Sequence, residues 1–404
     1  MTTEPTHDGV DARAAHDVRA GRGVPETQDG DDVPEVWRAW GRQRPQPRGR
    51  HLDCAAAGRC SWDAQHAVAE HLRREAELGA YVAQAEAAPV IEGARTTLAA
   101  LLGVPADGLA FLESASAALA AVLRAWPLGE RASVAVVPTE WAPNIEAFRE
   151  RGLELVELRT EEHGRVDLSH LEQLLTTSPP SFVHLTQVTS HRALLQPVAE
   201  AADLCRSAGV ALWVDAAQAL GHVDTATGAD VVYATSRKWM CGPRGVGLLG
   251  VAPRWWDLLY VRHHVLAPAD EPVVRAMESD EANVAGRVGL ATSVNQFAAT
   301  GPAAVWARLD EVGRQTRHAL ADLPGWQVVD ATDAGTAITA LRPTAGQDAV
   351  AARARLLSEH GILTTVSTPA RAPRDLAEPM LRISPHVDCA GSDLDALAGA
   401  LASC

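Results

Sequence analysis

From residue 109 onward the chain alternates short, wholly apolar runs with longer amphipathic ones. The short runs are "GLAFLES", "ASVAVVP", "LELVELR", "SFVHLTQ", "VALWVDA", "ADVVYATS" and "GVGLLGV". Each has strand length, and their mostly continuous apolar character marks strands covered on both faces. The runs "ASAALAAVLRAW", "APNIEAFRERG", "DLSHLEQLLTT" and "VAEAADLCRSAG" repeat apolar residues near the helical period. The alternation predicts an α/β fold with a mostly parallel seven-stranded sheet in its large domain. Two helices are predicted ahead of it, over "WDAQHAVAEHLRREAELGAYVAQAEA" and "VIEGARTTLAALLGV", the second closing at Gly103. After Asn283 one long helical stretch, "VGLATSVNQFAATGPAAVWARLDEVGRQTRHALADL", leads into "GWQVVD", "AITALRP", "AVAARARLLSEHG", "ILTTVS", "MLRISP" and "SDLDALAGALAS", a smaller α+β domain.

The chain divides accordingly into an acidic tail over 1–33, a segment over 34–62 that joins the small domain or the site entrance, a large domain over 63–290 and a small domain over 291–404. The tail carries eight acidic and three basic side chains and almost no large apolar ones, so it cannot offset chain entropy and is expected to be disordered. At 404 residues and 47% apolar composition, the remainder exceeds what one core usually holds.

Charge narrows the partners. A formal charge of −15 argues against nucleic acid and against an anionic membrane, both of which reward clustered lysine and arginine. Six cysteines without a C-x-x-C pair suit a reducing compartment and give no metal spacing. With neither a signal-peptide layout nor an apolar run long enough to span a bilayer, the expectation is a cytoplasmic protein.

In an open parallel sheet, ligands bind beyond the carboxyl ends of the strands. There "VALWVDAAQ" places Asp215 and Gln218, and "VVYATSRKWMCGPRGVG" places Ser236, Arg237 and Lys238 before a glycine-rich turn. A carboxylate at a strand end can keep a pyridine nitrogen protonated, and a lysine can hold an aldehyde. Ser114, Ala115 and Ser116 lie where a strand gives way to an alanine-rich helix, a place for a phosphate. Arg382, in "MLRISP", offers a two-donor clamp for a carboxylate. Taken singly these read as turn, cap, surface and ion-pair residues; their order along the chain does not.

"VDAAQALGHVD" and "VYATSRKWMCGPRGVGLL" resemble the cofactor signature of fold-type I pyridoxal phosphate enzymes, in the aminotransferase class V group that includes the cysteine desulfurases. The resemblance implies that Lys238 carries pyridoxal 5'-phosphate, Asp215 pairs with its ring nitrogen, and Gln218 donates to its phenolic oxygen. Ser114, Ser116 and Ser236, with Arg237 where many members have histidine, would surround the phosphate. Trp141, in "PTEWAPN", stands where the group stacks an aromatic ring. "EANVAGRVG" resembles the loop that completes the site across a homodimer interface, implicating Asn283 and Arg287.

Desulfurases of the group carry a nucleophilic cysteine in the region that here reads "GILTTVSTPARAP", where Ala370 takes its place. The stretches "HLDCAAAGRCS", "HLRREAELGAYVAQ", "LTQVTSHRALLQP", "DEANVAGRVGL" and "PMLRISPHVD" are similar to the lyases of ergothioneine biosynthesis that split hercynylcysteine S-oxide. That resemblance implies β-elimination with release of pyruvate and ammonia. Arg382 would hold the α-carboxylate, while Asn144, Ser190 and His191 line the pocket, and Trp62, Tyr81 and Trp141 are the aromatics available to a trimethylammonium group. Another class V β-lyase, an epimerase, a desulfurase-like enzyme and a noncatalytic scaffold are the competing readings.

Overall fold

The structure is a computed structural model that describes residues 33–261, 270–344 and 346–403. The predicted acidic tail lies almost wholly outside the described residues. The N-terminal part holds α1 (Glu35–Arg42), β1 (Arg50–His51), α2 (Trp62–Leu78) and α3 (Ala80–Leu102). Then come β2 (Leu109–Leu112), α4 (Ala115–Ala125), β3 (Ser133–Val136), α5 (Ala142–Glu150), β4 (Glu154–Glu157) and α6 (Leu168–Thr177). The sheet is completed by β5 (Phe182–Thr186), α7 (Val198–Ala208), β6 (Ala211–Asp215), β7 (Val231–Thr235) and β8 (Gly247–Val251).

These strands form one seven-stranded sheet in the order β2-β8-β7-β6-β5-β3-β4. Strands β3 to β7 run parallel, and β8 lies antiparallel between β2 and β7. Every residue of β5, β6 and β8 is buried, as continuous apolar runs require. At one edge, β4 exposes Glu154 and Glu157, charges that discourage further strand pairing. The architecture is therefore the mostly parallel α/β fold expected.

Two helix boundaries differ from the sequence reading, both because of glycine. The break between α2 and α3 falls at Gly79, whose φ of 87° lies outside helical space. Helix α3 instead runs through Pro89, which stands exposed, so the carbonyl it leaves unpaired can reach water. Downstream the predicted single long helix is two, α8 (Val284–Thr300) and α9 (Pro302–Ala319), separated by Gly301 at φ 92°. Pro302 then opens α9 where its missing N–H costs nothing.

The C-terminal part continues with β9 (Trp326–Val328), β10 (Thr339–Pro343), α10 (Ala349–His360), β11 (Ile362–Leu363), β12 (Thr365–Ser367), β13 (Met380–Ile383) and α11 (Gly391–Ala402). An antiparallel sheet of order β12-β13-β10-β9 forms there. The N-terminal strand joins this region: β1 pairs parallel with β11, and Asp53 bridges to Ser384 just past β13. Residues 50–58 thus connect the small sheet to the carboxyl ends of the large one.

Candidate active site

The glycines around Lys238 answer to close contacts rather than to flexibility. Gly247 opens β8 against the N-terminus of α4, where an added Cβ would lie 2.2 Å from the carbonyl carbon of Ser114. Gly245, at φ 85°, makes the turn and faces the Asn283 amide. From the other side Gly58 touches the Lys238 carbonyl and the Cys241 sulfur, leaving no room for a side chain. Lysine turn, α4 N-terminus and residues 54–58 are packed backbone on backbone.

Lys238 is half-buried at this junction. Loss of water lowers its amine to about 7, with Asp215 opposing the change and Arg237, Arg382 and Arg371 adding to it. Asp215, at the end of β6, is buried; its Oδ1 accepts from the Ala217 amide at 2.8 Å and its Oδ2 from Asn144 Nδ2 at 3.0 Å. Burial pushes this carboxyl above its ordinary range despite Lys238 and Asn144. Among the described residues no cation lies within ion-pair distance of it.

Behind Asp215 lies a polar network that sequence reasoning missed. Asn144 also donates to Glu140 Oε1 at 2.8 Å, which accepts in addition from Thr186 Oγ1 at 2.6 Å and from the Trp141 amide at 2.9 Å. Glu140 Oε2 lies 2.9 Å from His184 Nδ1, and His184 Nε2 lies 2.8 Å from the Tyr233 hydroxyl. All are buried except Trp141. Burial alone pushes the Glu140 carboxyl up, but His184, Thr186 and Asn144 bring it below the usual range. A period-two reading sees His184 and Tyr233 only as interior strand positions, because partners on different strands leave no spacing.

The remaining predicted residues separate into those near this centre and those committed elsewhere. Ser114 caps α4, its Oγ accepting from the Ala117 amide at 3.0 Å, while Ala115 is the first residue of that helix and Ser116 is exposed. The Ser236 hydroxyl donates to the Pro243 carbonyl and so closes the lysine turn. Arg237 donates to the Ala56 carbonyl. Gln218 donates to the Ala55 carbonyl and accepts the Trp239 indole N–H, both at 2.9 Å, which leaves one amide hydrogen. Asn283 caps α8 through Gly286.

Arg287 is engaged within its own chain. It pairs with Glu278 at 2.7 Å, donates to the Phe111 carbonyl and lies over the Phe111 ring, mirrored by Arg95 on the same carboxylate. His191 is buried with Nε2 2.6 Å from Asp375 and no partner at Nδ1; Ser190 has a buried, unpartnered hydroxyl. Arg382 donates through Nη1 to the Ser190 carbonyl at 2.6 Å and through Nη2 to Asp53 at 3.1 Å, leaving its buried Nε without a partner. Trp62 and Tyr81 stand on the surface, 55% and 83% exposed, away from the interior positions a cage would need. Asp53, whose other oxygen accepts from Thr365 Oγ1, was not anticipated.

The donor set suits pyridoxal phosphate: an amine held near neutrality, a buried carboxylate lacking a cation, a helix N-terminus facing a glycine turn, and unpartnered polar atoms on Ser190 and Arg382. Over residues 60–397 the chain matches the aminotransferase class-V family, and it belongs to that family. Pyridoxal phosphate is its cofactor.

The chain is 46% identical over 375 residues, 92% of its own length and 93% of the relative's, to a probable hercynylcysteine sulfoxide lyase of Mycobacterium tuberculosis. Among solved structures it resembles the cysteine desulfurase CsdA of Escherichia coli, with a TM-score of 0.76, 22% identity and coverage of 90% of this chain and 97% of that one. The cystine C-S lyase C-DES superposes with a TM-score of 0.79 at 15% identity, covering 88% and 97%. At such identities these two structures speak for the fold alone.

Proposed function

We propose that the protein is a pyridoxal phosphate-dependent carbon–sulfur lyase that cleaves hercynylcysteine S-oxide by β-elimination, with release of pyruvate and ammonia. The observation that carries this reading is the 46% identity to the mycobacterial lyase along nearly the whole of both chains. The turn Pro369–Arg371 supports it, because Ala370 occupies the place of the desulfurase thiol and no cysteine lies between Cys241 and Cys389.

Lys238 would hold the cofactor, Asp215 would pair with its ring nitrogen, and the N-terminus of α4 would receive its phosphate. Bound there, pyridoxal phosphate supplies an electron sink for charge developing at the substrate α-carbon. Asn144 and the Glu140 network orient Asp215 and keep it aimed. The Lys238 amine, free of its proton in about half of the molecules near pH 7, is suited to take the α-proton. Arg382 Nε, buried and open, is suited to the α-carboxylate. Trp141, at the head of α5, would cover the face of the bound ring.

The same reading includes a cytoplasmic homodimer. Most of the large apolar side chains that stand exposed on single described elements lie on one hairpin, α2–α3, among them Leu72, Tyr81, Val82 and Val90, which favours a covered face. Cys54, Cys60, Cys205 and Cys241 are free thiols, and no described helix is long and apolar enough to cross a membrane. The test is pyruvate release from hercynylcysteine S-oxide beside S-methylcysteine sulfoxide and cysteine. Preference for the hercynyl compound, abolished in Lys238→Ala, supports the reading; pyruvate from the other two alone overturns the substrate.

A further inference from the structure

One guanidinium near Lys238 remains without an occupation. Arg371 ends the turn between β12 and β13, directly after Ala370, and that turn packs against α5, the helix that begins at Trp141 and carries Asn144. Its Nε is buried with no partner, and among the described residues its side chain forms no ion pair. Burial and the neighbouring Arg382 lower its pKa to about 10, with Asp53 opposing. Its charge is felt at Lys238 and His191. Arg237, Lys238, Arg371 and Arg382 therefore converge with two acids: Asp215 beside Lys238, and Asp53, which is already shared between Arg382 and Thr365. Such an excess of buried positive charge calls for an anionic or strongly polar ligand group beyond the one carboxylate that Arg382 can take.

We propose that Arg371 holds the S-oxide oxygen of the substrate and takes up the charge that reaches that oxygen as the carbon–sulfur bond breaks, which makes it a determinant of specificity for oxidised over unoxidised cysteine conjugates. The inference rests on the lyase reading above. The oxygen lies three bonds from the α-carbon, so a substrate whose carboxylate sits on Arg382 brings it to the adjoining guanidinium, whereas a distal carboxylate on the leaving group lies much farther out. In the elimination the Lys238 amine accepts the α-proton and the C–H pair becomes the Cα–Cβ double bond. The Cβ–S pair departs on sulfur as a sulfenate, which takes a proton to become the sulfenic acid. No oxidant or reductant is consumed, and the released aminoacrylate reacts with water to give pyruvate and ammonia. A fixed cation beside the sulfenate oxygen strengthens this leaving group and offers a thioether nothing equivalent.

The experiment compares holoenzyme wild type with Arg371→Met and Arg371→Lys. It measures kcat/KM for hercynylcysteine S-oxide and for S-methylcysteine sulfoxide, and the inhibition constant of unoxidised hercynylcysteine. In Arg371→Met, kcat/KM for the two S-oxides is expected to fall about 10- to 100-fold, the worth of a charge-assisted hydrogen bond, while thioether inhibition changes less than about threefold; Arg371→Lys restores part of the loss. Equal losses for S-oxide and thioether, or a loss confined to the hercynyl compounds, overturn the inference and assign Arg371 to general folding or to the distal carboxylate. If Arg371→Met does not fold, the Lys variant decides, since undiminished S-oxide selectivity with an ammonium in place of the two-pronged guanidinium also overturns it. A wild type inactive on hercynylcysteine S-oxide defeats the functional reading itself, a result distinct from a selective wild type whose selectivity survives without Arg371.

Discussion

Replacing Lys238 by methionine should stabilise the cofactor-free protein, and by an amount that depends on pH. A lysine in an unfolded chain titrates near 10.5, but in the fold this one titrates at about 7. Because the folded value is the lower one, the native state binds fewer protons throughout the interval between them, and protonation there favours unfolding. The cost is complete below pH 7, shrinks as pH rises and disappears above about 10.5. At pH 7 the folded amine is half protonated and the unfolded one fully so, which amounts to about 4.4 kcal/mol; at pH 9 the cost is about 2 kcal/mol. Urea denaturation of both apoproteins at the two pH values should show the advantage of Lys238→Met shrinking by about 2 kcal/mol from pH 7 to pH 9. Asp215 loses a cation in the variant, which acts in the same direction because an isolated buried carboxylate grows more costly as it ionises. A difference independent of pH, or one that widens toward pH 9, would show that the amine is not held in its neutral form and refute the proton-acceptor argument with it.

Other perturbations test neighbouring parts of the site. Asp215→Asn keeps the shape but removes the charge, and should lower kcat/KM by at least about 100-fold, with the visible absorbance of bound cofactor reporting whether occupancy survives. His184→Leu strands the Glu140 carboxylate and the Tyr233 hydroxyl in the interior, a loss of about 3–5 kcal/mol by denaturant titration; a change below about 1 kcal/mol would mean the network is not buried as described. Gly247→Ala forces Cβ into the backbone of Ser114 and should cost at least about 2 kcal/mol and weaken cofactor retention, whereas Gly129→Ala, with open space around it, should leave the melting temperature nearly unchanged. Arg287→Ala should lower the melting temperature through its lost pairing with Glu278 while leaving KM within about twofold.

The large sheet was legible because buried parallel strands leave an unambiguous mark: "VALWVDA" and "ADVVYATS" are strands on composition alone, and Asp215 and Lys238 follow from where those strands end. Helix boundaries were less legible, since Gly79 and Gly301 end helices by backbone conformation while Pro89, the residue that looks like a breaker, sits on an exposed face that tolerates it. Ser236 and Arg237 illustrate a different limit. Residue type announces a donor, but only the fold reveals that the Ser236 hydroxyl closes its own turn and that Arg237 donates to Ala56. Asp53, Glu140 and His184 went unnoticed because each takes its meaning from a partner on a distant segment, and Arg371 because its burial without a partner is visible only in the fold.

Asp53 to Arg382, Arg59 to Asp388 and Ala55 to Ser384 each join residues 329 apart in the chain. A site stapled in this way is completed late during biosynthesis: a ribosome that has delivered Lys238, Asp215 and the whole large sheet still lacks β13, so Asp53 and Ala55 are without their partners Arg382 and Ser384. Contacts of such separation also slow folding, since loop closure must precede any gain from them. Residues 55–58 can already reach Gln218 and Arg237, but a chain lacking only its final strand and helix would keep its lysine and have no Arg382 to pair with Asp53.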